Sequence, residues 1–146
     1  FGNRIAGTYL VVREPDAGPS RILTIFADGN LSSIQSIQFN AGAAGGGFSN
    51  QQGVWKRVGT REIRATILDL SYDFQTGDFL GMAVASYDLQ FDKTFQTATG
   101  TAEGKIFSPG IDPLNPSDAE PIDEFSDTFE AQRVVVDTSA VEEGGL

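Results

Sequence analysis

Histidine and cysteine are both absent from this 146-residue chain, and methionine and tryptophan occur once each. Without cysteine there are no disulfides, no thiolate metal ligands and no thiol nucleophile. Without histidine the chain lacks the commonest metal ligand, the usual base of a catalytic triad and the one side chain whose ordinary pKa lies near neutrality. A serine nucleophile would need a lysine base, for which Lys56, Lys93 and Lys105 are the only lysines, and no serine stands in a Gly-X-Ser-X-Gly elbow. Long apolar runs are missing too: no stretch approaches the ~20 residues of a membrane-spanning helix. The Gly-rich run from Gly42 to Gly47 lacks the Lys-Ser/Thr of a phosphate loop, which argues against nucleotide binding.

Basic charge is scarce, ten Lys and Arg against twenty Asp and Glu, for a net charge of −10. The imbalance is local. Residues 1–111 hold ten acids and nine bases, whereas 112–146 hold ten acids and Arg133 alone. A nearly neutral body with an acidic crossing and tail at 110–146 disfavours nucleic acid and anionic lipid as partners. Asp112, Asp118, Asp123 and Asp127 lack the spacing and central glycine of an EF-hand loop, so the acids read as a solubilising surface and no metal is expected. The length suits one domain spanning 1–146. A first residue of Phe1 rather than Met predicts that an upstream segment has been removed.

What the chain does contain is short alternating segments punctuated by turn residues. Gly7 to Arg13 alternates, and Glu14 to Pro19 has turn composition. Arg21 to Ala27 and Leu31 to Phe39 flank Asp28-Gly29, the strongest hairpin signal present. Asn40 to Gly47 reads as a small-residue loop suited to a lid or rim. Gly53 to Val58 and Thr60 to Asp73 form a second hairpin around Gly59. Phe79 to Phe91, Phe95 to Phe107 and Phe125 to Val136 follow, the last after a Pro-bearing crossing in which 111–125 has room for a helical turn. Eight strands with short sequential connections predict an all-β, eight-stranded, antiparallel up-and-down barrel, which removes exposed sheet edges. A two-sheet sandwich is the alternative.

Gly7-Thr8-Tyr9 opens the first strand, and Arg133 stands in the last. In this the chain resembles the lipocalin and calycin group of barrels, with Tyr9 in place of their first-strand Trp and without the disulfides that many of them carry. The resemblance implies that the Arg133 guanidinium lies over the Tyr9 ring within ~6 Å, and that the barrel encloses a ligand chamber. Similar barrels in bacteria act as cyclases or isomerases in natural-product pathways.

Alternation supplies the candidate chamber wall. Gly81, Ala83 and Ala85 share one face of their strand, and Ala98, Gly100, Ala102 and Gly104 share one face of the next. If these faces point inward they either hollow out a cavity or admit large side chains from elsewhere. Phe26, Trp55, Tyr72, Tyr87 and Phe91, with Ala83 and Ala102, are the candidate ligand-binding residues. Arg64 joins them as a partner for a ligand carboxylate or enolate, unless it faces solvent and pairs with a neighbouring acid. Asp69, Asp88 and Glu103 are the strand-borne carboxylates that burial would raise into the acid–base range, so activity depends little on pH between about 6 and 8 unless one of them is buried. Two functions fit: binding of a small, largely apolar molecule, or cofactor-independent cyclisation or isomerisation driven by the shape of the same chamber.

Overall fold

The computed structural model describes residues 1–13, 18–40 and 46–139. The turn at Glu14–Ala17, most of the small-residue loop (41–45) and the last seven residues lie outside the described residues. Among the described residues a helical turn, α1 (Gly2–Ile5), precedes nine strands: β1 (Gly7–Val12), β2 (Pro19–Ile25), β3 (Asn30–Gln35), β4 (Gly47–Phe48), β5 (Gln51–Gly59), β6 (Glu62–Tyr72), β7 (Phe79–Phe91), β8 (Thr97–Phe107) and β9 (Asp123–Arg133).

Every pairing is antiparallel, and eight strands close a ring in the order β1-β2-β3-β5-β6-β7-β8-β9, with β9 returning to β1. Closure rules out the sandwich. The two-residue β4 extends the ladder alongside the end of β6, pairing Gly47 with Tyr72 and Phe48 with Ser71. The Asp28-Gly29 turn forms as its sequence dictates, with Gly29 at φ +100°, a conformation few L side chains adopt. Strands are shorter than hydrophobicity alone suggests: β3 stops at Gln35, because Ile37 to Asn40 form hydrogen-bonded turns, and β9 stops at Arg133. The crossing between β8 and β9 holds turns, such as Asn115 N–H to Asp112 C=O at 3.2 Å, rather than a helix.

The inward faces follow strict period-two alternation: Tyr9 and Val11 on β1, Arg21, Leu23 and Ile25 on β2, Ile63 through Ser71 on β6, Ala83 through Phe91 on β7. One end of the barrel is packed shut. There Tyr9, Phe91, Phe95, Phe1 and Trp55 form a chain of rings with centroids 5.8–6.2 Å apart. Arg133 caps them, its guanidinium 5.1 Å from the Tyr9 ring centroid, inside the range expected for this pair. It donates to the carbonyls of Phe95, Ala6 and Arg4 at 2.6–3.1 Å. A Cβ at Gly7 would stand 2.7 Å from Arg133 Nη1, so this approach needs the glycine. The Tyr9 hydroxyl donates to Ile5 C=O at 2.6 Å, tying α1 across the opening.

Candidate functional site

The small-residue faces of β7 and β8 do point inward, but they are not uniformly empty. Gly100 and Gly104 lie opposite Phe129 and Phe125 in the β8–β9 register, and a Cβ on either glycine would collide with the partner's ring. These glycines accommodate aromatic rings from the adjacent strand. Among the described residues, space remains over Ala83 and Ala102, where a cavity of about 110 Å³ opens between strands at the end opposite Arg133. Arg21, Gln35, Gln51, Asp69, Ser71, Tyr87 and Asp127 face it, and Ile37, Phe48, Ile106 and Phe125 give it an apolar border. Larger depressions of about 460 and 510 Å³ lie over the outer faces of β7, β8 and β9, open to solvent and without buried charge.

Polar side chains around the chamber form one continuous network. Asp127 Oδ2 accepts from Arg13 Nε and Arg21 Nη2, both at 2.9 Å. Arg21 Nη2 also donates to Gln35 Oε1 at 3.2 Å, and Gln35 Nε2 donates to Gln51 Oε1 at 2.8 Å. Gln51 Nε2 then donates to Asp69 Oδ2 at 2.9 Å, while Gln51 Oε1 accepts from the Tyr87 hydroxyl at 3.3 Å. The Arg21 side chain is 2% exposed and its guanidinium sits 5.1 Å and 4.9 Å from the Tyr87 and Phe129 ring centroids. It therefore marks the boundary between the apolar packing below and the chamber above.

The network does not satisfy all its members. Arg21 Nε and Nη1, Asp69 Oδ1 and Ser71 Oγ are buried without a hydrogen-bond partner. Each such atom costs about 1–3 kcal/mol, more where charged. Burial pushes the Asp69 carboxyl up to about 6, against the opposing pull of the Gln51 hydrogen bond. Burial likewise raises the Tyr87 phenol, opposed by the nearby Arg21. At neutral pH the chamber thus presents a donor phenol, a guanidinium and a carboxyl that changes charge close to neutrality.

Of the residues singled out from sequence, Ala83, Ala102 and Tyr87 line this chamber. Phe91 and Trp55 belong to the packed end, where Trp55 Nε1 donates to Phe26 C=O at 2.9 Å. The Phe26 ring is exposed on the hairpin. Tyr72 packs against Phe74 and Phe79, outside the chamber lining. Arg64 is on the outer face, donating to Asp88 Oδ1 at 2.8 Å, and Glu103 also faces outward. Sequence reasoning named Asp69 but missed Arg21, Gln35, Gln51 and Asp127. The missed signal is parity: Arg21 shares its face with Leu23 and Ile25, and Asp127 shares its face with Phe129 and Ala131.

Among the described residues no group of three Asp or Glu side chains is placed to hold a metal ion, and no helix is long and apolar enough to cross a membrane. Comparison with family models, curated proteins and solved structures finds no match to this chain.

Proposed function

We propose that this protein binds a small, largely apolar molecule through the open end of its barrel, seating a polar head in the chamber. The observation that carries this reading is that Arg21, Asp69 and Ser71, which hold buried polar atoms without a partner, all line one cavity. A barrel of this size is stably filled by aliphatic side chains. Keeping a guanidinium and a carboxyl unsatisfied in its interior is costly unless something else completes their hydrogen bonds. The enclosed 110 Å³ equals the liquid volume of about four waters, so it accommodates a head group rather than a whole ligand. The apolar remainder would lie against Ile37, Phe48, Ile106 and Phe125 at the border.

Methyl NMR tests the reading. With alanine methyls labelled, titration with a panel of small cyclic ketones, amides and carboxylic acids is expected to shift Ala83 and Ala102. Ala98 and Ala131, in the packed region, should stay still. Shifts spread evenly over all alanines, or none with any compound, would end it.

A second reading, shape-driven cyclisation or isomerisation, is favoured by the unbroken hydrogen-bonded path Arg13–Asp127–Arg21–Gln35–Gln51–Asp69. Such a network holds a bound molecule in one orientation and lowers the entropic part of a barrier.

A further inference from the structure

We propose that the chamber is an acid–base active site acting on a carbonyl compound, in which Asp69 Oδ1 moves a proton from the carbon beside the carbonyl and Arg21 holds the carbonyl oxygen. The inference rests on the reading of this chamber as a ligand site and goes beyond it in assigning a reaction and its residues. It departs from catalysis by shape alone.

The pairing of charges carries the argument. Of two arginines and two buried carboxylates around the chamber, both arginines bind Asp127, through a single oxygen. Among the described residues Asp69 has no ion pair. A structural salt bridge would have joined Arg21 to Asp69 and neutralised both. Instead one carboxyl on a residue that lines the cavity is left without a counter-ion, its Oδ2 fixed by Gln51 and its Oδ1 buried without a hydrogen-bond partner. Gln51 is itself held by Gln35 and Tyr87, so the carboxyl is fixed through its Oδ2. That is how a general base is built: desolvated, positioned and with one lone pair available. The acid–base range follows, since the carboxyl titrates near 6. Arg21 lines the same cavity and has two nitrogens, Nε and Nη1, whose N–H groups have no partner and suit negative charge developing on an oxygen.

For a β,γ-unsaturated ketone the step balances within the site. Asp69 Oδ1 takes the α-proton, the C–H electron pair becomes the new C=C bond, and the carbonyl π pair moves onto oxygen facing Arg21. Asp69 then returns the proton to the γ-carbon, the carbonyl re-forms, and the conjugated isomer leaves. Nothing is oxidised or reduced and no cofactor is required. The ionisable groups facing Asp69 are Arg13 from the end of β1, Arg21 from β2, Tyr87 from β7, and Asp123 and Asp127 from β9; β3, β5 and β8 present none in the lining.

Cyclohex-3-en-1-one is the probe. Its isomerisation to the conjugated enone is followed by absorbance, and deuterium uptake at its α-carbon by NMR in D₂O. The unmodified protein should exceed an equal concentration of acetate in both, with a rate that rises with pH through an inflection near 6. Asp69→Asn should lower the rate about 10²–10⁴-fold, while cyclohexanone still shifts the Ala83 and Ala102 methyls of the variant. Methyl shifts with no rate above acetate would overturn the proton-transfer role and leave the binding site standing. Neither shifts nor turnover would remove both for carbonyl heads. Retained turnover in Asp69→Asn, or a flat profile in the unmodified protein between pH 5 and 7, also overturns the assignment, the latter whether or not the variant folds.

Discussion

At the closed end of the barrel Arg133 commits its guanidinium to three main-chain carbonyls, whereas at the open end Arg21 leaves two of its nitrogens without a partner. Both residues sit beside aromatic rings at nearly the same distance, 5.1 Å from Tyr9 and from Tyr87. The surroundings differ. Below, long aromatic side chains fill the lumen and α1 covers the opening. Above, alanines at 83 and 102 leave a void and amide side chains replace aliphatic ones. The turns 26–29, 60–61 and 92–96 lie at the closed end, and the described connections 73–78 and 108–122 lie at the open one. Identical strand geometry thus supports a saturated end that holds the fold together and an unsaturated end that weakens it. Destabilised polar groups gathered at one place are where proteins keep function.

The sharpest way to break this contrast is to damage the end assigned to stability. Phe91 is buried and touches both Tyr9 and Phe95. Phe91→Ala should cost about 3–5 kcal/mol in urea unfolding, by lost transfer energy and the cavity left behind, without moving the ligand-induced shifts of the Ala83 methyl. A cost below about 1 kcal/mol would mean that the closed end does not carry the fold.

The reverse effect is expected at Asp69, whose replacement should stabilise. Its carboxyl has a pKa of about 6 in the folded protein against 3.8 for the ordinary group. As pH rises from about 4 to 6 the unfolded chain releases this proton while the folded chain retains it, so stability falls across that window. Two units amount to about 2–3 kcal/mol lost at pH 7. Asp69→Asn removes this dependence, so the stability difference between variant and unmodified protein should grow by that amount between pH 4 and 7. A constant difference would mean that Asp69 pays no burial penalty.

Overfilling the chamber should cost less. Ala102→Phe places a ring over the void, for about 1–3 kcal/mol of destabilisation, and should abolish the response of the Ala83 methyl to every ligand head. Outright unfolding would make this wall packed core, and unaltered binding would place the ligand elsewhere.

How much of this was legible in the sequence depends on the range of the interaction. The hairpins at Asp28-Gly29 and Gly59 are local, and alternation grouped the small residues of β7 and of β8 on one face each without saying which face turns inward. Whether those faces enclose space was not local, because Phe125 and Phe129 on β9 decide it, filling Gly100 and Gly104 but not Ala83 or Ala102. The turn α1 is too short for a periodic signal, and β4 has two residues. Arg21 was hidden by the run Ile22-Leu23-Thr24-Ile25, in which Ile22 is exposed and breaks the visible parity. Asp127 lay within a stretch whose many acids read as a solvated surface.

The smallest expected effect is on Arg64, the candidate ligand partner that instead faces solvent and pairs with a neighbouring acid. Arg64 alternates with Ile63, Ala65 and Ile67, all buried, so its own parity sends it outward. Its pair with Asp88 is in open water, the side chains 64% and 47% exposed. Solvent screening and the entropy of fixing two mobile side chains cancel most of what such a pair gains. Arg64→Ala should therefore leave the melting temperature, the Ala83 and Ala102 shifts and any turnover of cyclohex-3-en-1-one unchanged within error. Loss of ligand response in this variant would move the site to the outer sheet, and with it would go the division between a sealed end and a reactive one. An unchanged variant beside a responsive Asp69→Asn would instead show that one residue's step in strand parity separates surface charge from chamber chemistry.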